Sequence, residues 1–239
     1  HLWQAFEKIS KKPVAKIMHN WTAHGGYPVL KAETKGDKIN ISQKRFYANP
    51  NIKNVDKTLW QIPVNTETNK NFNQFLLKDR NISINAPKTW VKINIGESGF
   101  FRTAYSPELL ERLRNPVEEK SISPRDRLGI IRDLFALSEA GTIHTTDALN
   151  FLSAYKHEDN YTVSVEIASG ISRLEQLLAK TKFKNELDTL TLSLFSPIAK
   201  NLGWENSADE KHRDALLRSL AISRAGRAGD KNVIAQAKK

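Results

Sequence analysis

The 239 residues contain no cysteine. That excludes disulfide frameworks, thiol nucleophiles and Cys-based metal sites, and it fits the reducing conditions of the cytoplasm. No apolar run approaches the ~18 residues needed to cross a bilayer. The charged, apolar, then small pattern of a secretory leader is not visible either. The six histidines are His1, His19, His24, His144, His157 and His212, and no two stand four apart. The helical motif H-E-x-x-H, which aims two rings at one ion, is therefore missing. The chain opens His1-Leu2-Trp3 without an initiator Met, which predicts an excised piece of a longer polypeptide.

What is present reads as a soluble globular protein. Hydrophobic residues make up 39% and charged residues 26%, within the range of chains that bury a core, and the length predicts one to two domains. The formal net charge of +11 is unevenly placed. Residues 1–105 hold 17 Lys/Arg against 7 Asp/Glu, and residues 106–239 hold 20 against 19. This break predicts a boundary near Ser106-Pro107. A basic half fits attraction to nucleic acid or to an acidic partner. The lysines are scattered at intervals rather than massed in one run, however, which fits a solvated surface better.

Periodicity divides the chain in the same way. Leu2, Phe6 and Ile9 follow a helical spacing, Lys12-Pro13 interrupts, and Val14, Ile17, Met18 and Trp21 form a second stripe. Pro13 suits a first helical position, and Gly25-Gly26 closes the helical stretch. Strands are predicted at Tyr27–Glu33, Lys38–Phe46, Leu59–Val64, Phe72–Leu77, Ile82–Ile84, Val91–Ile95 and Phe100–Tyr105. Lys35-Gly36-Asp37 is a hairpin signal between the first two. Pro28 and Pro63 are predicted at strand starts, edges or bulges. Ile39 and Ile41 alternate with Asn40 and Ser42, as in a sheet with one wet face. Seven short runs at roughly regular spacing predict a small sandwich.

Beyond residue 106 the pattern is helical. Ser123-Pro124-Arg125-Asp126 reads as a cap, a first-turn proline and a first-turn acid. Leu128, Ile131, Leu134 and Phe135 follow as a stripe, and Ala140-Gly141 is a stop. Thr145 or Thr146 begins a helix with Leu149 and Leu152. Further stripes are Ile167, Ile171, Leu174 and Leu178, then Leu187, Leu190, Leu194 and Ile198. A fifth helix starts at Ser207 or Asp209 and carries Leu216, Leu217 and Leu220, and Asp230–Lys239 begins another. Short connections point to antiparallel pairs, as in a solenoid.

No candidate for chemistry withstands scrutiny of its spacing. His19 and His24 are five apart and read as helix-end or surface residues. His157-Glu158-Asp159 lacks a second His at the required offset and reads as a polar loop between helices. Ala168-Ser169-Gly170-Ile171-Ser172 is not the G-x-S-x-G elbow and lies in a helical pattern. Gly96-Glu97-Ser98-Gly99 lacks the Lys and following helix of a phosphate loop and reads as a tight turn. Trp3, Trp21, Trp60, Trp90 and Trp204 read as packing residues.

Four phrases, in order, carry a family resemblance. Trp21, Thr22, Gly26, Tyr27, Pro28 and Val29 follow W-T-x-Q-x-G-Y-P-V, with His24 in place of Gln. Trp90, Asn94, Gly96, Gly99, Phe100, Arg102 and Tyr105 follow W-x-x-x-N-x-G-x-x-G-F-Y-R-x-x-Y, with Phe101 in place of Tyr. Ser123, Asp126, Arg127, Asp133, Phe135, Ala136, Leu137, Ala140 and Gly141 follow a third phrase. Leu202-Gly203-Trp204-Glu205 and Leu216-Leu217-Arg218 follow a fourth. The chain thus resembles the C-terminal segment of a gluzincin, aminopeptidase N-like zinc aminopeptidase. Its Cys-free, unsignalled character is similar to the soluble cytoplasmic members, including the tricorn-interacting-factor type.

The resemblance implies a multi-domain α and β architecture. Residues 1–24 are expected to be closing helices of a catalytic domain, 25–105 a β-sandwich acting as spacer, and 106–239 the start of an all-α solenoid that helps enclose a peptide chamber. Trp90 and Phe100 are expected in the sandwich core. The implied parent uses zinc to remove N-terminal residues from peptides. Its metal ligands, general-base Glu and amine-recognising motif are expected upstream of His1. Within these residues no catalytic and no metal-ligating position is expected, and no substrate-binding residue is assigned. Expected partners are the parent's own catalytic domain and peptide substrates, with neither a membrane nor a nucleic acid among them. The alternative is a stand-alone module binding an acidic partner or nucleic acid through Lys31–Lys57. A scaffold for subunit contacts is a third reading.

Overall fold

The computed structural model describes residues 2–53, 55–69, 71–206 and 210–239. The chain divides into two compact units, one of residues 1–113 with 136–144, the other of 114–135 with 145–239.

The first unit begins with helices α1 (Leu2–Ser10) and α2 (Val14–Thr22), and Pro13 sits just before α2 with φ −74°. Seven strands follow: β1 (Pro28–Lys35), β2 (Lys38–Arg45), β3 (Ile62–Glu67), β4 (Phe72–Leu77), β5 (Asn81–Asn85), β6 (Lys92–Ile93) and β7 (Arg102–Tyr105). One sheet has the order β5-β2-β1-β7, the other β4-β3-β6. β1 pairs antiparallel with β2 and parallel with β7. The β1–β2 hairpin turns on Gly36-Asp37, with Gly36 at φ +61°. Positive φ at the first loop residue alone is the type II′ pattern, whose twist matches the flanking strands.

Alternation places Ile39, Ile41 and Gln43 of β2 inward, and Ile62, Val64 and Thr66 of β3 likewise. Residues of both sheets, Leu30, Ala32, Ile39, Ile41, Ile62, Val64, Leu77 and Ile93 among them, join Trp60 in one apolar cluster. Two sheets sharing a core are compatible with the predicted sandwich. Pro28 opens β1, and Pro63 lies where β3 has a partner strand only on its β4 side.

Three sequence expectations need correction here. First, Phe100 is 68% exposed, whereas Phe101 is 6% exposed and belongs to the core. A Cβ on Gly99 would lie 2.3 Å from the Phe101 ring, so the bare backbone at Gly99 lets that ring turn inward. Trp90 is only half-buried. Second, the third strand starts at Ile62 rather than Leu59. Side chains serve the backbone of 59–61 instead of a partner strand. Asn20 donates to the Leu59 carbonyl (3.1 Å) and accepts from the Gln61 N–H (2.7 Å), and Trp21 donates to the Gln61 carbonyl (2.9 Å). Gln43 closes a bond with each side of the Trp60 backbone, both 2.9 Å. Third, the sixth strand shrinks to two residues because Asn94 turns left-handed, φ +64°.

After β7 the described residues form no further strand. α3 (Pro107–Arg112) is capped by Ser106 and ends the first stretch of this unit. α5 (Pro124–Glu139), which follows α4 (Arg114–Glu118), ends in a Schellman motif. There Thr142 N–H reaches the Leu137 carbonyl (2.8 Å), Gly141 N–H reaches Ser138 (3.0 Å), and Gly141 has φ +64°.

The second unit contains α4, most of α5, α6 (Thr145–Phe151), α7 (Tyr161–Leu178), α8 (Lys184–Leu202), α9 (His212–Arg227) and α10 (Lys231–Ala237). Ser123 accepts from the Asp126 N–H (3.2 Å) and donates to its carboxylate (2.5 Å), the predicted cap. Ile167, Ile171, Leu187 and Leu194 of the predicted stripes are buried. Gly170 is a contact requirement, because a Cβ there would meet the Phe135 ring at 2.1 Å. The predicted starts of α9 at Ser207 or Asp209 lie outside the described residues. Asp230 caps α10 by accepting from the N–H groups of Asn232 and Val233.

Candidate functional site

Among the described residues the histidines form no metal-holding group. His24 places its Nδ1 2.7 Å from the Asn20 carbonyl at the end of α2 and faces the Trp60 ring edge-on at 6.4 Å. The carbonyl of His19 serves the Ala23 N–H. His144, His157 and His212 are exposed. Among the described residues no group of three or more His, Cys, Asp or Glu could hold a metal ion.

The His157-Glu158-Asp159 stretch is a connection between helices, as expected, but Glu158 is not solvated. Its side chain is 2% exposed and takes a two-pronged contact from Arg127, 2.7 and 2.8 Å. Arg127 also donates to the Ile122 carbonyl (2.7 Å), and Tyr155 OH donates to the Arg127 carbonyl (2.8 Å). Burial opposes the Arg127 charge, yet the hydrogen bonds and charge of Glu158 outweigh it and raise its pKa. Burial, then the Glu158 charge, pushes the Tyr155 phenol well above its ordinary range. A pair this enclosed and this satisfied is a structural tie. Sequence reasoning missed it because nothing local marks Glu158 as the partner of a residue 31 positions earlier.

The other two motifs lie in a helix and in a turn. Ser169 and Gly170 lie within α7. Gly96 and Glu97 lie in the short turn Ile95–Glu97, both with positive φ. Lys92, almost wholly buried, fills the inside of that turn, donating to the Ile93 carbonyl (2.6 Å), the Asn94 carbonyl (3.3 Å) and Glu97 (2.7 Å). Asn94 accepts from the Gly99 N–H (2.7 Å), and Tyr105 OH accepts from the Ile93 N–H (2.8 Å). The spaced Asn, Gly and Tyr of the second phrase thus hold one turn shut.

The first unit carries an apolar groove of about 840 Å³. Ile17, Met18 and Trp21 of α2 form one wall, Pro63, Phe75 and Leu76 of β3 and β4 line the floor, and Phe100 stands at one end. Trp21, Tyr27 and Phe100 make a chain of ring contacts, 6.4 and 5.0 Å between centroids. Among the described residues of the lining, Lys12 and Lys78 are the ionisable ones.

A family profile described as ERAP1-like C-terminal domain matches residues 90–239. The chain belongs to that family. Relatives extend the likeness to the residues before Trp90. Aminopeptidase M1-D of Oryza sativa subsp. japonica is 32% identical over 238 residues, covering 92% of this chain and 27% of its own length. Aminopeptidase 2 of Candida albicans is 33% identical over 247 residues, covering 99% and 26%. The puromycin-sensitive aminopeptidase of Caenorhabditis elegans is 30% identical over 251 residues, covering 98% and 26%. The chain therefore spans about a quarter of the length of the curated relatives it matches. The family match starts at Trp90, so it takes in the Lys92–Asn94–Tyr105 turn, the Arg127–Glu158 pair and the arginines of α9. None of the described helices is long and apolar enough to cross a membrane.

Proposed function

We propose that this chain is the non-catalytic C-terminal part of a zinc-dependent aminopeptidase that removes N-terminal residues from peptides. The observation that carries the proposal is the match to relatives named as aminopeptidases over only a quarter of their length. Zinc does not fit the residues here. No donor trio converges among the described residues, so no step of hydrolysis is assigned to this chain. No residue of it is proposed to be catalytic or metal-ligating.

In this reading residues 1–24 close a catalytic domain, 25–105 are a spacer, and 106–239 begin a solenoid whose concave side helps enclose the peptide chamber. Two buried arginines of α9 support the stacking of helix on helix. Arg218 donates to the Leu202 carbonyl at the end of α8 (3.3 Å) and pairs with Glu210. Arg224 reaches Ser172 (2.8 Å) and Glu175 (2.6 Å) of α7. Helix-to-helix ties of this kind are what a solenoid uses between neighbours. The protein is proposed to work in the cytoplasm, with its own catalytic domain and peptides as partners.

Incubating the purified chain with zinc and aminoacyl-amide substrates tests the reading. No turnover is expected, and chelator-sensitive turnover would refute it.

A further inference from the structure

We infer that the recess where the turn of residues 140–142 lies against β1 and β2 is a binding site for a small organic phosphate monoester. Lys44 and Lys31 hold its phosphoryl group, and the apolar part of the lining takes its organic body. The site lies wholly within the first unit. It goes beyond the proposed function, and its test requires no peptidase activity.

The recess holds about 300 Å³, at the lower end of the range for small-molecule pockets. Strand register sets its cations. Val29 of β1 pairs with Lys44 of β2, and Lys31 pairs with Ser42. Lys31 and Lys44 therefore stand diagonally on one face of the sheet, about 7–8 Å apart along the backbone. Phe46, Pro50 and Ile52 supply apolar lining. The turn of residues 140–142 forms a wall, close enough that a Cβ on Gly141 would lie 3.2 Å from the Pro50 Cβ.

Charge narrows the ligand. Lys31, Lys44 and Arg45 line the recess, and among the described residues no Asp or Glu does. Arg45 is already engaged, pairing with Asp56 (2.8 Å) and donating to the Gly25 carbonyl. Lys31 is shared with Glu33 (2.7 Å), whereas Lys44 pairs with no described residue. The Tyr47 and Thr142 hydroxyls also belong to the lining and make no hydrogen bond to a described residue. Neighbouring like charges on a sheet repel, and a dianion between them relieves the repulsion. Lysine meets phosphate as a point charge, whereas a planar carboxylate is best met by the fork of an arginine, and the arginine here is committed. A phosphate monoester carries about −1.5 to −2 charges at neutral pH, which matches two lysines.

Calorimetric titration of the whole chain with phenyl phosphate, inorganic phosphate, inorganic sulfate and benzoate tests this. One phenyl phosphate per chain is expected, about tenfold tighter than each of the other three, because only it uses both halves of the lining. Lys44→Met should weaken it about tenfold, the loss of one charge-assisted contact. Glu33→Gln, which leaves Lys31 to the ligand, should tighten it about threefold. Below about pH 6 the ligand takes up a proton and binding should weaken. Lys38→Met, at the other end of β2, should leave binding unchanged. Near-UV circular dichroism checks that each variant keeps its fold. No saturable binding to the native chain would overturn the inference. So would equal affinity for sulfate or inorganic phosphate, which would mean an adventitious ion only, and equal affinity for benzoate, which would mean a carboxylate site. Equal losses from Lys38→Met and Lys44→Met would contradict it too, since the attraction would then belong to a diffuse basic surface. Competition by oligonucleotides that strengthens with their length would do the same, the ligand then being a polyanion.

Discussion

The two units bury polar side chains with different chemistry. In the sheet unit, Gln43, Lys92 and Asn94 bond mainly to the backbone. In the helical unit, Arg127, Arg218 and Arg224 reach carboxylates on other segments. The cause lies in the backbone. Short strands broken at 59–61 and 94–99 leave N–H and C=O groups that something must satisfy. Helices satisfy their own interiors and leave only their ends open, so the charged ties of this unit run chiefly from side chain to side chain. The sheet unit should therefore be sensitive to loss of neutral amides, and the helical unit to loss of one member of a charge pair.

The largest expected effects come from removing the centre of each arrangement. Trp60→Ala should cost the sheet unit about 3–5 kcal/mol of unfolding free energy by urea titration. Arg127→Met, leaving Glu158 buried and unpaired, should cost the helical unit about 3–5 kcal/mol. Pairing it with Glu158→Leu should recover most of that loss. A double mutant as unstable as the single would show that the tie is not what holds α5 to the connection before α7.

Next in size is Gln43→Leu, which strands buried groups of residue 60 and should cost about 1–3 kcal/mol. Adding a methyl at each unit's closest glycine gives a matched pair. Gly99→Ala forces Phe101 outward and Gly170→Ala forces Phe135 aside, each at about 1–3 kcal/mol. The two should differ in a readable way: Gly99→Ala should change near-UV signals of the Trp60 cluster, and Gly170→Ala should not.

The smallest effect concerns acid. The Thr58 hydroxyl and backbone N–H, followed by the Arg45 charge, hold the Asp56 carboxyl below its ordinary value. A depressed folded-state pKa contributes stability above the unfolded value near 3.8 that is lost as pH falls through the folded value. Asp56→Asn should remove this small contribution at pH 7 and change stability less at pH 3, so that the acid sensitivity of the sheet unit falls slightly. A thermal melt at pH 3 and pH 7 on both proteins checks this.

Much of the fold was legible because alternation and caps are local. The Gly36 hairpin, the Ser123 cap and the Gly141 stop follow from residues within a few positions of one another. The strand-to-helix change at Ser106 follows from the loss of two-residue periodicity. What was not legible depended on distant partners. Leu59–Gln61 looked like strand because Leu and Trp suit one, but Asn20, Trp21 and Gln43 had already claimed its backbone. Phe100 and Phe101 are equivalent by composition, and only the space over Gly99 decides which turns inward. Glu158 looked like a loop acid because Arg127 is 31 residues away. For the candidate site, spacing alone excluded the two-histidine motif, but no periodic signal announced the groove, whose walls come from α2, β3, β4 and the turn before β7.

The account holds that this chain supplies surfaces and ties, and that the reactive centre belongs to other polypeptide. Calorimetric titration of the chain with zinc at neutral pH tests this most directly. The account predicts no saturable stoichiometric site. One ion bound per chain, with binding abolished by His24→Ala or His19→Ala, would contradict it.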